Sequence, residues 1–193
     1  MPALILIVFI DLLGFGIIIP ILPFYAEHFG ASPAIVTLLM ASYSLMQFIA
    51  APIIGSMSDR YGRRRVILIS LAGTCVAYVA MAYASTLIML FAARALAGLF
   101  AGNIAAAQAY IADITTPENR ARGMGLFGAA FGLGFIFGPV FGGYLTEPVA
   151  GNINFHVAPL CAAGSSVLAA VLTVLILKES RSPGFGDEKR HGW

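Results

Sequence analysis

The sequence predicts an all-α membrane protein with six transmembrane helices, and three observations carry that prediction. The 193 residues are 60% hydrophobic and 10% charged, and their mean hydropathy is +0.90, too apolar for a water-facing globule. The apolar residues fall in six long runs, each near the roughly 20 residues a helix needs to cross a hydrocarbon core about 30 Å thick. The basic residues collect between alternate runs. Transmembrane strands alternate apolar and polar side chains over about 10 positions, and these runs do not alternate.

The runs lie near 3–25, 34–57, 66–84, 86–112, 123–145 and 155–177. The first lacks a basic start and is about twice as long as the apolar core of a signal peptide, so it reads as a span that is kept. It carries Asp11 within FIDLLGFGIIIPILP. The second ends in GSMSDRYGRRR, where five charges crowd into 59–65. The third contains no acid. The fourth carries Arg94. The fifth reads GAAFGLGFIFGPVFGG: Gly134, Gly138 and Gly142 recur every four residues as a small-residue stripe, and Pro139 can bend the helix. After the sixth comes the polar KESRSPGFGDEKRHGW. The organisation expected is a bundle over 1–178 and a tail over 179–193.

Short loops rich in Lys and Arg stay on the cytoplasmic side. Arg60, Arg63, Arg64 and Arg65 follow the second run, Arg120 and Arg122 the fourth, and Lys178, Arg181, Lys189 and Arg190 the sixth. The remaining loops, around 26–33, 85 and 146–154, hold none. Arg94, the last of the 11 basic residues, lies inside a run. Both termini are therefore expected in the cytoplasm. Cys75 and Cys161 lie in apolar runs and read as small buried hydrophobes. No Cys/His spacing suggests a metal or redox site, and no metal or cofactor is expected. His28, His156 and His191 fall in loops or the tail and read as solvated. A net charge of +2 points to no nucleic-acid partner.

The pattern G-x-x-x-D-R-x-G-R-R, here Gly55, Asp59, Arg60, Gly62, Arg63 and Arg64, resembles the signature loop between spans 2 and 3 of major facilitator superfamily transporters. The resemblance implies a cytoplasmic latch that breaks and reforms as two half-molecules rock. It also implies that Asp113, in AYIADIT, pairs with an arginine of that loop. On its own, Asp113 reads equally as a solvated helix-end acid. G-x-x-x-G-P-x-x-G-G in the fifth run, Gly134, Gly138, Pro139, Gly142 and Gly143, resembles the motif of the family's drug/proton antiporters, and Arg94 to Gly98 resembles its span-4 arginine motif. The whole run is most similar to the tetracycline-efflux branch, with one departure: Ala77 stands where that branch carries an acid in span 3.

An ionisable side chain within a span costs about 2.5–3.5 kcal/mol on insertion scales, so it faces a cavity or a partner. Asp11 and Arg94 differ in depth by about 8 Å, a gap that a guanidinium side chain can largely close. The functional reading is a coupled pair: Arg94 holds Asp11 ionised, and protonation weakens the pair, making Asp11 a proton carrier. The plain alternative is a static ion pair, a role that apolar packing would fill at little loss. Tyr25, Tyr43, Gln47 and Gln108 are candidate cavity-lining residues. Gln108 shares a helical stripe with Arg94, whereas Asn103 falls roughly opposite Arg94.

The family has twelve spans in two six-span halves, each half a pair of inverted three-helix repeats. The resemblance therefore implies that this chain is the N-terminal half. Its partners would be membrane lipid, protons, a small-molecule substrate and a second six-span half, as a separate chain or an identical copy. The implied function is proton-coupled efflux of small amphipathic drugs across a cell inner membrane, with antibiotic resistance as its outcome. No P-loop is present, so no ATP is expected, and no catalytic cluster suggests an enzyme. The alternative is a non-transporting remnant or a membrane interaction subunit.

Overall fold

A computed structural model describes residues 1–146 and 154–180. Among the described residues there is no strand, and the chain forms eight helices: α1 (Pro2–Ile18), α2 (Ile21–His28), α3 (Pro33–Tyr61), α4 (Arg63–Ala82), α5 (Leu87–Phe100), α6 (Asn103–Ile114), α7 (Pro117–Leu145) and α8 (Val157–Ile176). α1 runs on into α2, and α5 into α6. Six helices long and apolar enough to cross a membrane result, and their lengths are 27, 29 and 20 residues, then 28, 29 and 20. The beginnings repeat as well. Both 29-residue helices open on a hydroxyl residue followed by proline, Ser32-Pro33 and Thr116-Pro117, and proline suits the first helical position because its missing N–H has no intrahelical partner there. The opening span of each triplet is the interrupted one. One three-helix unit is thus used twice.

The charged segment expected as a loop between the second and third spans is helical on both sides of a single residue. α3 continues through Asp59 and Arg60, and α4 begins at Arg63. Gly62 alone turns the chain, at φ +97°, where a Cβ would be strained. His28, also expected in a loop, lies in the last turn of α2. That helix closes at Gly30 (φ +75°), with Ala31 N–H bonded to Ala26 O and Gly30 N–H to Glu27 O, the pairing that satisfies terminal carbonyls.

α1 packs along α7 and α8, α8 lies along α4, and α3 lies along α5. In lipid no hydrophobic driving force joins helices, so close van der Waals fit holds them together. The fifth-span glycines supply that fit. A Cβ on Gly138 would lie 2.5 Å from Gly16 Cα, one on Gly142 2.4 Å from Ile17 O, and one on Gly134 2.8 Å from Leu12 Cβ. Gly143 meets nothing within 4 Å and is not part of this seam. The core forms around it. Leu4, Ile7, Leu12, Ile67, Leu71, Ile111 and Phe127 fill the end nearest the arginines, and Ile18, Leu22, Leu39, Tyr78, Met81 and Leu90 fill the other.

The expected burial of the cysteines does not hold: Cys161 is exposed and Cys75 half-buried. An apolar thiol in a spanning helix is as well placed against lipid as against protein. α3 and α7 are the least covered spans, each with 22% of its apolar window buried against 56% for the first span.

Replacing Gly138 with leucine forces α1 and α7 apart. Overpacking of this kind costs about 1–3 kcal/mol, so the thermal unfolding midpoint in detergent should fall by several degrees in Gly138→Leu and should not fall in Gly143→Ala.

Candidate functional site

The interior polar site is built where the first and fourth spans meet. α6 starts at Asn103 after the interruption at Ala101–Gly102. Its first side chain donates from Nδ2 to Asp11 Oδ2 of α1 at 2.5 Å. Asp11 and Asn103 are both buried. Arg94, on α5, is 3% exposed, and its guanidinium carbon sits 4.3 Å from the ring centre of Tyr43 and 5.4 Å from that of Phe15. Such faces attract a cation through the ring quadrupole. Asp11 Oδ1 and the Nε and Nη1 of Arg94 are buried without a hydrogen-bond partner among the described residues. Two small cavities of about 10 Å³ border Asp11, one shared with Phe15, Tyr43, Thr74, Tyr78 and Asn103, the other with Leu4, Ile67 and Asn103. A space of that size admits about one water.

This corrects the expected direct pairing. Among the described residues the ion pairs within 4 Å are made by Arg63, and Asp11 and Arg94 do not form one. Asn103, placed on the far side of the span by helical spacing, is the residue that reaches Asp11. The interruption is the reason: α5 packs on α3 and α4, whereas α6 also reaches α1 and α7.

A second polar cluster occupies the end that carries the arginines. Arg63, on the first turn of α4, binds Asp59 at 2.6 Å and Asp113 at 3.0 Å, and its Nη1 donates to Ser58 Oγ at 3.2 Å. Its side chain is 7% exposed, so the charge is held inside the cluster. Arg64 donates from Nε to Thr173 O and from Nη2 to Val174 O, capping the last carbonyls of α8. Glu179 returns the favour: its Oε1 accepts the backbone N–H groups of Arg63 (2.8 Å) and Arg64 (3.4 Å). Arg60 and Arg65 are exposed. Gly55 meets nothing within 4 Å, so no close approach explains it.

The four candidate lining residues are scattered. Tyr43 borders the Asp11 cavity. Tyr25 donates its hydroxyl to Met81 O and Ala84 O and stacks on Phe155, which makes it a fastener near the opposite end. Gln47 is half-buried and Gln108 exposed. A larger cavity, about 840 Å³, lies elsewhere, between the beginnings of α1 and α7. Leu6, Phe9, Leu126 and Leu133 line its apolar wall, and Thr116, Asn119 and Arg122 its polar side.

The Major Facilitator Superfamily model matches residues 4–192. The chain belongs to the major facilitator superfamily. It is 42% identical over 174 residues to the tetracycline resistance protein, class C, of Escherichia coli, covering 89% of this chain and 43% of that protein. It is 37% identical over 177 residues to multidrug resistance protein 1 of Bacillus subtilis (strain 168), covering 91% and 44%. The fold superposes with a TM-score of 0.82 on the human organic anion transporter MFSD10 (TETRAN), at 28% identity over 94% of this chain and 47% of that one. The chain therefore spans about half the length of the curated relatives it matches, and its six spans correspond to one half of a facilitator.

In this facilitator half, Asn103 and Glu179 are the site residues that sequence spacing missed. Glu179 had a signal. Gly62 offers no capping side chain and the first turn of α4 is three arginines, so its N-terminal N–H groups need an acceptor from elsewhere. Glu179→Ala should lower the unfolding midpoint by about 2–4 °C, while Gly55→Ala, in open space within α3, should not lower it in the same thermal melt.

Proposed function

We propose that this chain is the N-terminal half of a proton-coupled antiporter that exports small amphipathic compounds across a cell inner membrane, both termini facing the cytoplasm. One observation carries the reading: a carboxyl group, Asp11, is buried at mid-span against an interrupted fourth span. Interrupted helices in corresponding positions of a repeat mark binding sites in transporters, and a buried acid is costly to keep without use. The names of the relatives, tetracycline resistance and multidrug resistance proteins, support the same chemistry.

In this mechanism Asp11 is the proton carrier and Arg94 a fixed charge. With Asp11 ionised, the two charges cancel across Tyr43. When Asp11 binds a proton, the charge of Arg94 is left uncompensated beside it, and a cationic amphipath in the adjoining substrate path is disfavoured. Proton and substrate then exclude each other, which is the requirement for exchange. Arg63, bridging Asp59 and Asp113, is the latch that holds one conformation at the cytoplasmic end. The cavity near Arg122 forms part of the substrate path, and a second six-span half, a separate chain or an identical copy, closes it. Ala77, fully buried beside Tyr43 and Ala97, stands where the tetracycline branch has an acid, so tetracycline-like substrates are one option within a broader amphipathic class. No covalent chemistry is involved.

The test is dye efflux driven by a pH gradient in pump-deficient cells, with the chain produced alone and with a facilitator C-terminal half, after membrane insertion is confirmed. Gradient-dependent efflux that falls to background in Asp11→Asn is the expected result. Wild-type efflux from Asp11→Asn would remove Asp11 as the carrier. No efflux under either condition would leave a non-transporting membrane interaction subunit.

A further inference from the structure

Asn103 belongs to no motif, yet its geometry around Asp11 is specific. Its side-chain oxygen accepts the N–H of Ile104 at 2.9 Å, and its Nδ2 donates to Asp11 Oδ2. Exchanging the amide's oxygen and nitrogen would set two acceptors against each other at Asp11 and two donors at Ile104. The amide therefore has one satisfied orientation, fixed by the helix that it begins. That helix also aims its positive dipole end at the same place.

We propose that Asn103 is the positioning residue that sets the proton affinity of Asp11, and that the proton sits on Oδ1. The inference rests on Asp11 being the proton carrier. Oδ2 accepts from Asn103 whether the carboxyl is ionised or neutral, so the side chain need not swing when it titrates. Oδ1 is the oxygen without a partner among the described residues, and it is open to a proton. A neutral amide suits this task better than a direct arginine pair. It favours the carboxylate by a hydrogen bond to a charged group, whereas a buried contact ion pair would hold the group ionised. The groups around Asp11 agree with that division of labour. Arg94 from α5 is turned onto the rings of Tyr43 and Phe15. Tyr43 from α3 and Tyr78 from α4 border the same small cavity, and α6 brings Asn103. At the glycine contacts α7 meets α1 with Gly134, Gly138, Pro139 and Gly142, and α8 with Ala162 and Ser165, none of them charged.

The experiment is an infrared pH titration of the protonated-carboxyl band in the purified full chain reconstituted in lipid, with the band assigned by its loss in Asp11→Asn. Removing the donor in Asn103→Leu should move the midpoint of that band upward by at least about one pH unit. Asn103→Gln, which retains an amide, should show a smaller upward shift. Circular dichroism and monodisperse elution establish that each variant is folded, and Asn103→Ala makes the same comparison if leucine is not accommodated. A midpoint unmoved in a folded Asn103→Leu or Asn103→Ala variant overturns the proposal and leaves Asp11 as carrier untouched. A midpoint that follows Asn103 while Asp11→Asn still exports dye supports the positioning role and removes the proton-carrier reading alone.

Discussion

Glycine lets the backbone of α1 press directly on α7, Gly16 against Gly138 and Ile17 against Gly142, and on its other flank Gly14 meets Ser165 and Ala162 of α8. In lipid this contact is the binding force itself, because no water is released when two apolar helices meet. Gripped on both flanks, α1 becomes the most enclosed crossing of the bundle. Asp11, on the same helix, is covered from the other side, where Leu71, Thr74 and Tyr78 of α4 and Asn103 and Ile104 of α6 line the small spaces beside it. The fifth-span glycines thus fix the position of the helix that carries the buried carboxyl, without touching the carboxyl itself.

The two polar clusters follow opposite rules. Around Asp11 the polar atoms are under-satisfied: one carboxylate oxygen and two guanidinium nitrogens have no partner among the described residues. Around Arg63 they are richly shared, with Asp59, Asp113 and Ser58 all on one guanidinium. Unpaired polar groups in a low-dielectric interior are costly, and a fully shared network rigidifies the segments that it joins. The division suits a molecule in which one region responds and the other holds a posture.

Much of this was legible from composition and spacing. The six crossings could be read because a hydrocarbon solvent leaves few alternatives to long apolar helices. The small-residue stripe at Gly134, Gly138 and Gly142 was legible because every-fourth spacing defines one helical face. What escaped depended on neighbours. Helical spacing puts Asn103 opposite Arg94 only on an unbroken helix, and the fourth span is interrupted at Gly102, where the side chain of Ile54 from α3 fills the space beside it: a Cβ there would lie 2.5 Å from Ile54 Cδ1. Helical continuity from Asp59 through Arg65 was hidden because so many charges suggest a solvated loop, and a single left-handed glycine suffices to join two helices. Glu179 was missed because an acceptor for a helix start can come from any part of the chain that folds back.

The reciprocal capping of α4 and α8 has a consequence for the order of assembly. Arg63 and Glu179 are separated by 116 positions, and Arg64 is 109 and 110 positions from the carbonyls that it binds. During synthesis the third span is complete long before the sixth exists. Its amino end must therefore wait, hydrated and unclasped, until the last helix emerges and the two ends fasten each other. The clasp needs residues that follow the sixth crossing, and it joins the first three-helix unit to the second.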